Sequence, residues 1–289
     1  MGAAEDIFNY EFLLKSDDNS DTVVSTSEPW EFDIEDIQID SLEFSFNDPL
    51  QSTSISADWQ SLFVSVDELD LNEPKLLIND LRLSGAVAGF SIGESNETNI
   101  SSSEEEVGTP FNFSIDKVAI EDSRIHFNDP QQELNVLLGL LEVKVDNLDL
   151  PGSKIQLEEI TLEHSSVKYE MPSILKSSEV DSTFSSNDWI VSLNQLNLSD
   201  NNLRVDLDSL NPDGNTFNPQ DIAITKLNGG VRDIFYSKNK MNLSLDELQL
   251  LTDNQPILLK GDFSMDNKGL QVQRFAFSSQ VSSINADFG

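Results

Sequence analysis

The chain has 289 residues, and its 52 Asp plus Glu against 17 Lys plus Arg give a formal net charge of −35. That balance repels nucleic-acid phosphate and a bare anionic membrane surface alike, which excludes long-range attraction to anions as a binding mode. With no cysteine and two histidines, His126 and His164, the chain has little from which to build disulfides, thiolate nucleophiles or transition-metal sites.

A hydrophobic content of 38%, with 17 Phe against 3 Tyr and 3 Trp, suits a thin sheet with one apolar and one wet face. Residues 1–29 read as part of a leading repeat followed by the polar stretch Lys15–Pro29. The opening MGAAEDIFNY lacks the charged-then-apolar order of a signal peptide, and no apolar run reaches the ~18 residues that cross a membrane.

A first unit, residues 30–110, opens with WEFDIEDIQIDSLEFSFNDP. Its apolar residues alternate, slip, and alternate again: Phe32 and Ile34, then Ile37 and Ile39, then Leu42, Phe44 and Phe46. Period two with abundant Ile and Phe predicts strand. The slip at Glu35-Asp36 predicts a β-bulge that keeps Ile34 and Ile37 on one face. The slip at Asp40-Ser41, rich in turn formers, reads as a hairpin reversal. The unit closes with the polar stretch Glu94–Pro110, a solvated loop.

The second unit, residues 111–188, repeats the first. Phe111–Pro130 aligns without a gap to Trp30–Pro49 and places Phe113, Ile115, Val118, Ile120, Ile125 and Phe127 in the inward slots. Here the second slip falls at Glu121-Asp122-Ser123 and is again read as a reversal. Gln131–Glu142 is the only helix candidate of note, weakened by Gly139. Val143–Leu162 then aligns with Val64–Leu83, and the polar stretch Lys176–Asp188 follows.

A third unit with terminal strands, residues 189–289, begins at Trp189 and puts Val191, Leu193, Leu196, Leu198, Leu203 and Val205 in the same slots, with its second slip at Ser199-Asp200-Asn201. A short phrase of the form apolar, two polar, apolar, any, apolar recurs eight times, from IEDIQI to LDELQL. A period near 80 residues therefore predicts an all-β, repeat-built protein: an elongated, strongly curved, mainly antiparallel sheet with one apolar face.

Signals for chemistry are sparse. Both histidines sit within strand patterns, the carboxylates occupy outward slots, and no glycine-rich phosphate loop precedes a helix. Asp206–Asp221 has a Pro-Asp-Gly turn better than it has the ligand spacing of a calcium loop. No catalytic residue, metal site or cofactor is assigned, and an enzyme is not expected.

The phrases IEDIQIDSLEFSFNDP, IDKVAIEDSRIHFNDP and LNQLNLSDNNLRVDL, with the closing stretch Leu258–Gly289, resemble the repeats of the bacterial AsmA/TamB family. The resemblance implies an open, curled β-groove, the β-taco, that conducts phospholipid acyl chains across the periplasm between inner and outer membranes. It further implies an inner-membrane anchor in segments outside this chain, localisation in the cell envelope, and contact with outer-membrane assembly proteins. Phe32, Ile34, Ile37, Ile39, Phe44, Phe46 and their counterparts in the later units would then line the groove.

The competing expectation is a structural or adhesive surface protein, whose β-array would close over a dry core. A glycan-active enzyme with paired carboxylates is a third, for which the few Trp and Tyr speak poorly.

Overall fold

The computed structural model describes residues 34–48, 52–70, 75–93, 112–171, 189–207, 221–252 and 254–289, all within the unit Phe32–Gly289. Fourteen strands appear in them and no helix. In chain order they are β1 (Asp36–Asp48), β2 (Thr53–Asp70), β3 (Lys75–Ser84), β4 (Val87–Ile92), β5 (Asn112–Asn128), β6 (Glu133–Asp149) and β7 (Lys154–Glu163). β8 (Ser166–Glu170), β9 (Ile190–Asp206), β10 (Asp221–Ser237), β11 (Lys240–Thr252), β12 (Gln255–Asp266), β13 (Gly269–Ser279) and β14 (Ser283–Phe288) complete the set.

All fourteen belong to one sheet. β3 and β4 both lie between β2 and β5 and share one lane, as β7 and β8 do between β6 and β9, so the sheet is twelve lanes wide. Pairing is antiparallel except where β3 and β4 meet β5 and where β7 and β8 meet β9. A parallel neighbour cannot be reached by a tight hairpin. The polar stretches Glu94–Pro110 and Lys176–Asp188 fall at these two crossovers in sequence and lie outside the described residues. Among the described residues β1 and β14 each pair on one side only, so the sheet has two open edges.

Two lines of irregularity cross the lanes. On the first, Ile78 faces Ile115 and Asp80 faces Lys117, so Asn79 and Asp116 are extra residues opposite each other. The same step separates Leu157/Leu193 from Glu159/Gln195, and register shifts at Val66, Val145, Asp246 and Lys260/Asp262 continue it. Except for Lys260/Asp262, these positions fall within the recurring phrase, where the apolar spacing of three breaks period two. β1 begins at Asp36, and Glu35 accepts a 2.7 Å hydrogen bond from the Val66 amide.

The second line corrects the sequence reading. Ser41, Asp122 and Asp200 do not reverse the chain: β1, β5 and β9 run straight through them. Each instead adopts a left-handed backbone, with φ of 56°, 46° and 51°. One left-handed residue absorbs the extra position, so the alternation resumes on the original face and the strand kinks without turning back. Asp, Asn and Ser tolerate this conformation because their short polar side chains bond locally. The lanes of β3/β4 and β7/β8 break on the same line, at Gly85 (φ 62°) and His164 (φ 50°).

The helix candidate is also corrected. Gln131–Glu142 runs into β6, whose inward residues Leu134, Val136, Leu138, Leu141 and Val143 alternate with a slip at Gly139. That slip packs five apolar residues into a stretch that mimics helical spacing.

Candidate functional site

The cross-strand registers place the apolar residues in rows. One row runs Ile39, Leu62, Leu83, Ile120, Leu141, Leu162 and Leu198, each directly opposite the next. It continues through Gly229 to Leu248, Leu259, Phe277 and Ile284, reaching the last lane. At a lane spacing of about 4.8 Å this row runs roughly 50 Å along the hydrogen-bond direction. A second row, between the two lines of irregularity, is Ile37, Val64, Leu81, Val118, Val143, Ile160, Leu196 and Val231.

Beyond the second line two further rows share this face. Phe44, Ala57, Ala88, Ile125, Val136, Val167, Leu203 and Ile224 form one. Phe46, Ile55, Phe90, Phe127, Leu134, Tyr169, Val205 and Ile222 form the other, with the Phe90 and Phe127 rings stacked at 5.6 Å. Before the first line, Ile78 meets Ile115, Leu76 meets Phe113, Leu157 meets Leu193, and Ile155 meets Val191. Ile34 is half-buried just ahead of β1, and Phe32 lies outside the described residues. Apart from Phe32 and Ile34, the inward slots read from sequence thus share one face.

These four rows hold no charged side chain. Their polar groups are few: the Tyr169 hydroxyl, which donates to Gln132 Oε1 at 3.2 Å, and a line of small residues at the second kink. There Ser123, Ser165 and Asn201 are almost completely buried. Each follows a left-handed residue, and each side chain takes up a backbone group that the kink pulls out of the ladder. Ser123 Oγ accepts from the Ala86 amide at 3.1 Å and donates to the Glu121 carbonyl at 2.8 Å. Ser165 Oγ accepts from the Gly139 amide at 3.1 Å and donates to the Glu163 carbonyl at 2.9 Å. Asn201 accepts from the Ser165 amide at 2.9 Å and donates to the Leu162 carbonyl at 2.7 Å. Sequence reading named Ser123 and Asn201 only as parts of turns and passed over Ser165; the signal was a small polar residue recurring at each slip.

The face is incompletely covered. Among the described residues ten apolar side chains are buried, none of them Phe or Trp. Ile115 and Leu193, beside the first line, are among the ten, whereas Ile125 stays 38% exposed although strands flank it on both sides. Phe44 and Phe46, on the edge strand, are about half exposed, at 49% and 48%.

The opposite face carries paired charge. Lys144 Nζ lies 2.6 Å from Glu159, whose other oxygen accepts from Asn197 at 2.7 Å; these bonds hold the Glu159 carboxyl below the usual carboxylate range. Hydrogen bonds from Arg232 to Asp246 and from Arg274 to Asp262 do the same for those carboxyls, and Lys260 with Gln249 does it for Glu247. A cleft of about 540 Å³ at the β10–β13 end is lined by Lys226, Gln249, Leu258 and Ser278, with no carboxylate or histidine in its lining. His126 bonds Asn135 at 2.8 Å, and exposed His164 lies 3.4 Å from Asp200. Among the described residues no cluster of His, Asp and Glu could hold a metal, and no helix is long and apolar enough to cross a membrane.

Comparison with protein-family models, curated proteins and solved structures finds no match to this chain.

Proposed function

We propose that the apolar face of this sheet is an open groove that carries the acyl chains of phospholipids, in a periplasmic bridge of the AsmA/TamB kind built from units of about 80 residues. The observation that supports it most is a charge-free apolar face, continuous from β1 to β10 in four rows and to β14 in one, whose mid-sheet member Ile125 stays 38% exposed. A contiguous uncovered apolar surface marks a binding site. Along the second line the small residues Ala86, Ser123, Ser165 and Asn201 are buried.

An acyl chain gains roughly 0.8 kcal/mol per buried CH₂. Because Leu, Ile and Val recur from lane to lane, that gain is nearly level along a row, and a chain slides without meeting a deep trap. The acidic reverse face keeps the sheet in water while the inner face stays oily. The adhesive reading needs a dry, closed core, and the absence of any buried Phe or Trp among the described residues speaks against one.

The test is lipid loading. Purified protein is expected to carry phospholipid measurable by mass spectrometry, and Phe127→Asp to reduce that load several-fold. His126→Asp, the neighbouring position on the reverse face, should leave it unchanged. Lipid-free protein that takes up none from vesicles overturns the reading.

A further inference from the structure

We infer that the reverse face carries a second binding site, the cleft at the β10–β13 end, and that it takes a small amphipathic anion. The apolar body of such a ligand rests on Leu251, Pro256 and Leu258, and its carboxylate meets Lys226. The site lies opposite the acyl-chain rows and does not depend on that reading. Its volume, about 540 Å³, falls in the range of small-molecule sites, roughly 300–1,000 Å³.

The cleft sits on a fault in the β10–β11 ladder. Thr225 faces Leu251 and Asn228 faces Gln249, so Lys226 and Leu227 stand against Leu250 alone. Such a bulge re-aims side chains. Leu227 keeps its place opposite Asn201, while Lys226 takes a left-handed backbone, φ 51°, and lines the cleft. Two side chains hold it there. The Lys226 amide donates to Asn202 Oδ1 at 3.4 Å, and its carbonyl accepts from Asn228 Nδ2 at 2.7 Å.

The floor is apolar where a reverse face would be polar. Leu259 belongs to an inner row, so Leu258, paired with Gln249 and Ser278, lies on the other side. Pro256, two residues back and paired with Leu251, shares that side. Leu250-Leu251 and Ile257-Leu258-Leu259 are thus apolar on both faces, the pattern of strands covered on both. Yet Pro256 is exposed, and Leu251 and Leu258 are only half-buried. The charge at the cleft is equally local. Among the described residues no ion pair engages Lys226, and no carboxylate lines the cleft. Glu247, further along β11, is taken up by Lys260 and Gln249. A carboxylate in contact with Lys226 is therefore favoured although the chain as a whole repels anions, because at ~0.15 M salt the screening length is only ~8 Å.

The experiment titrates the full chain, at ~0.15 M salt, with probes that share one ring system and differ in head group: naphthoate, naphthalenemethanol and naphthylmethylammonium. Naphthoate should bind tightest, about three- to five-fold above the neutral alcohol, the gain of one partly exposed ion pair. The ammonium should bind weakest, against the sign of the net charge. Lys226→Gln, at an exposed position, should bring naphthoate down to the level of the alcohol, and Leu258→Asp should weaken it further. Phe127→Asp, on the opposite face, should leave naphthoate binding unchanged. Ammonium bound as tightly as naphthoate, or naphthoate binding untouched by Lys226→Gln, overturns the site. Loss of binding in Phe127→Asp places the probe on the inner rows and overturns it too. None of these failures bears on lipid loading, which is measured separately.

Discussion

Asp200 and Asn201 show how two neighbouring residues make a kink in a continuous strand. Asp200 takes the left-handed backbone and Asn201 turns inward to bond the Ser165 amide and the Leu162 carbonyl. Asn201→Ala removes both bonds and leaves the Ser165 N–H buried without a partner. A buried unsatisfied donor costs about 1–3 kcal/mol, so the variant should lose roughly 2–3 kcal/mol in urea unfolding. Asp200→Gly should be neutral or stabilising by up to about 1 kcal/mol, since glycine adopts positive φ without strain. A loss from Asp200→Gly equal to that from Asn201→Ala would show that the Asp200 side chain itself holds the kink. Sequence alone places the residue pair correctly and misjudges what it does. A turn and a kink both need a residue that accepts positive φ. Only the partner of the following segment decides between them, and here Leu42 to Asp48 pair with β2 and not back onto β1.

At the scale of an element, β6 is where pattern and structure diverge most. Its inward residues change phase between Leu138 and Leu141, and Gly139 occupies the gap. A Cβ on Gly139 would lie 2.7 Å from the Glu163 carbonyl oxygen and 2.8 Å from that of His164, both at the break between β7 and β8. In a helix Gly139→Ala would stabilise by about 1 kcal/mol. In this strand it must push the backbone of the next lane away, and a loss of roughly 1–3 kcal/mol is expected. The sign of the change in denaturant midpoint thus separates the two assignments. Strand identity elsewhere was legible, because alternation of Ile, Leu, Val and Phe needs no knowledge of the partner. Lane order was not: that β5 lies parallel to β3 depends on where the chain returns after Glu94–Pro110, and a polar, low-complexity segment carries no such information. The inward faces of β2 and β8 were missed for a related reason. Ala57 and Tyr169 are weak signals singly, and only their neighbours Phe44 and Leu134 reveal the rows they continue.

For the whole molecule, charge sets the conditions under which the sheet holds. Folding draws 52 acidic side chains together with 17 basic ones, so at low salt self-repulsion opposes the native state. Screening relieves it, and at neutral pH the melting temperature should rise as salt increases from 0.01 to 0.3 M. Acid acts in two opposite ways. Asp246, Asp262, Glu159 and Glu247 are held below the usual carboxylate range by Arg232, Arg274, Lys144 and Lys260, so what they contribute is complete at neutral pH. Their contribution is lost progressively as pH falls from the ordinary carboxylate range through their lower folded values. Each carboxylate that acid neutralises also lowers the repulsion. In 0.01 M salt the melting temperature should therefore climb as pH drops from 7 toward about 5 and fall at lower pH. In 0.5 M salt the climb should flatten while the acid fall persists, because hydrogen-bonded pairs are screened less than distant charges. Arg232→Ala with Arg274→Ala should lower stability at pH 7 and make the acid fall shallower, since Asp246 and Asp262 would then have less to lose. An unchanged acid limb in that double variant would mean that the pairs on the reverse face do not hold the lanes together.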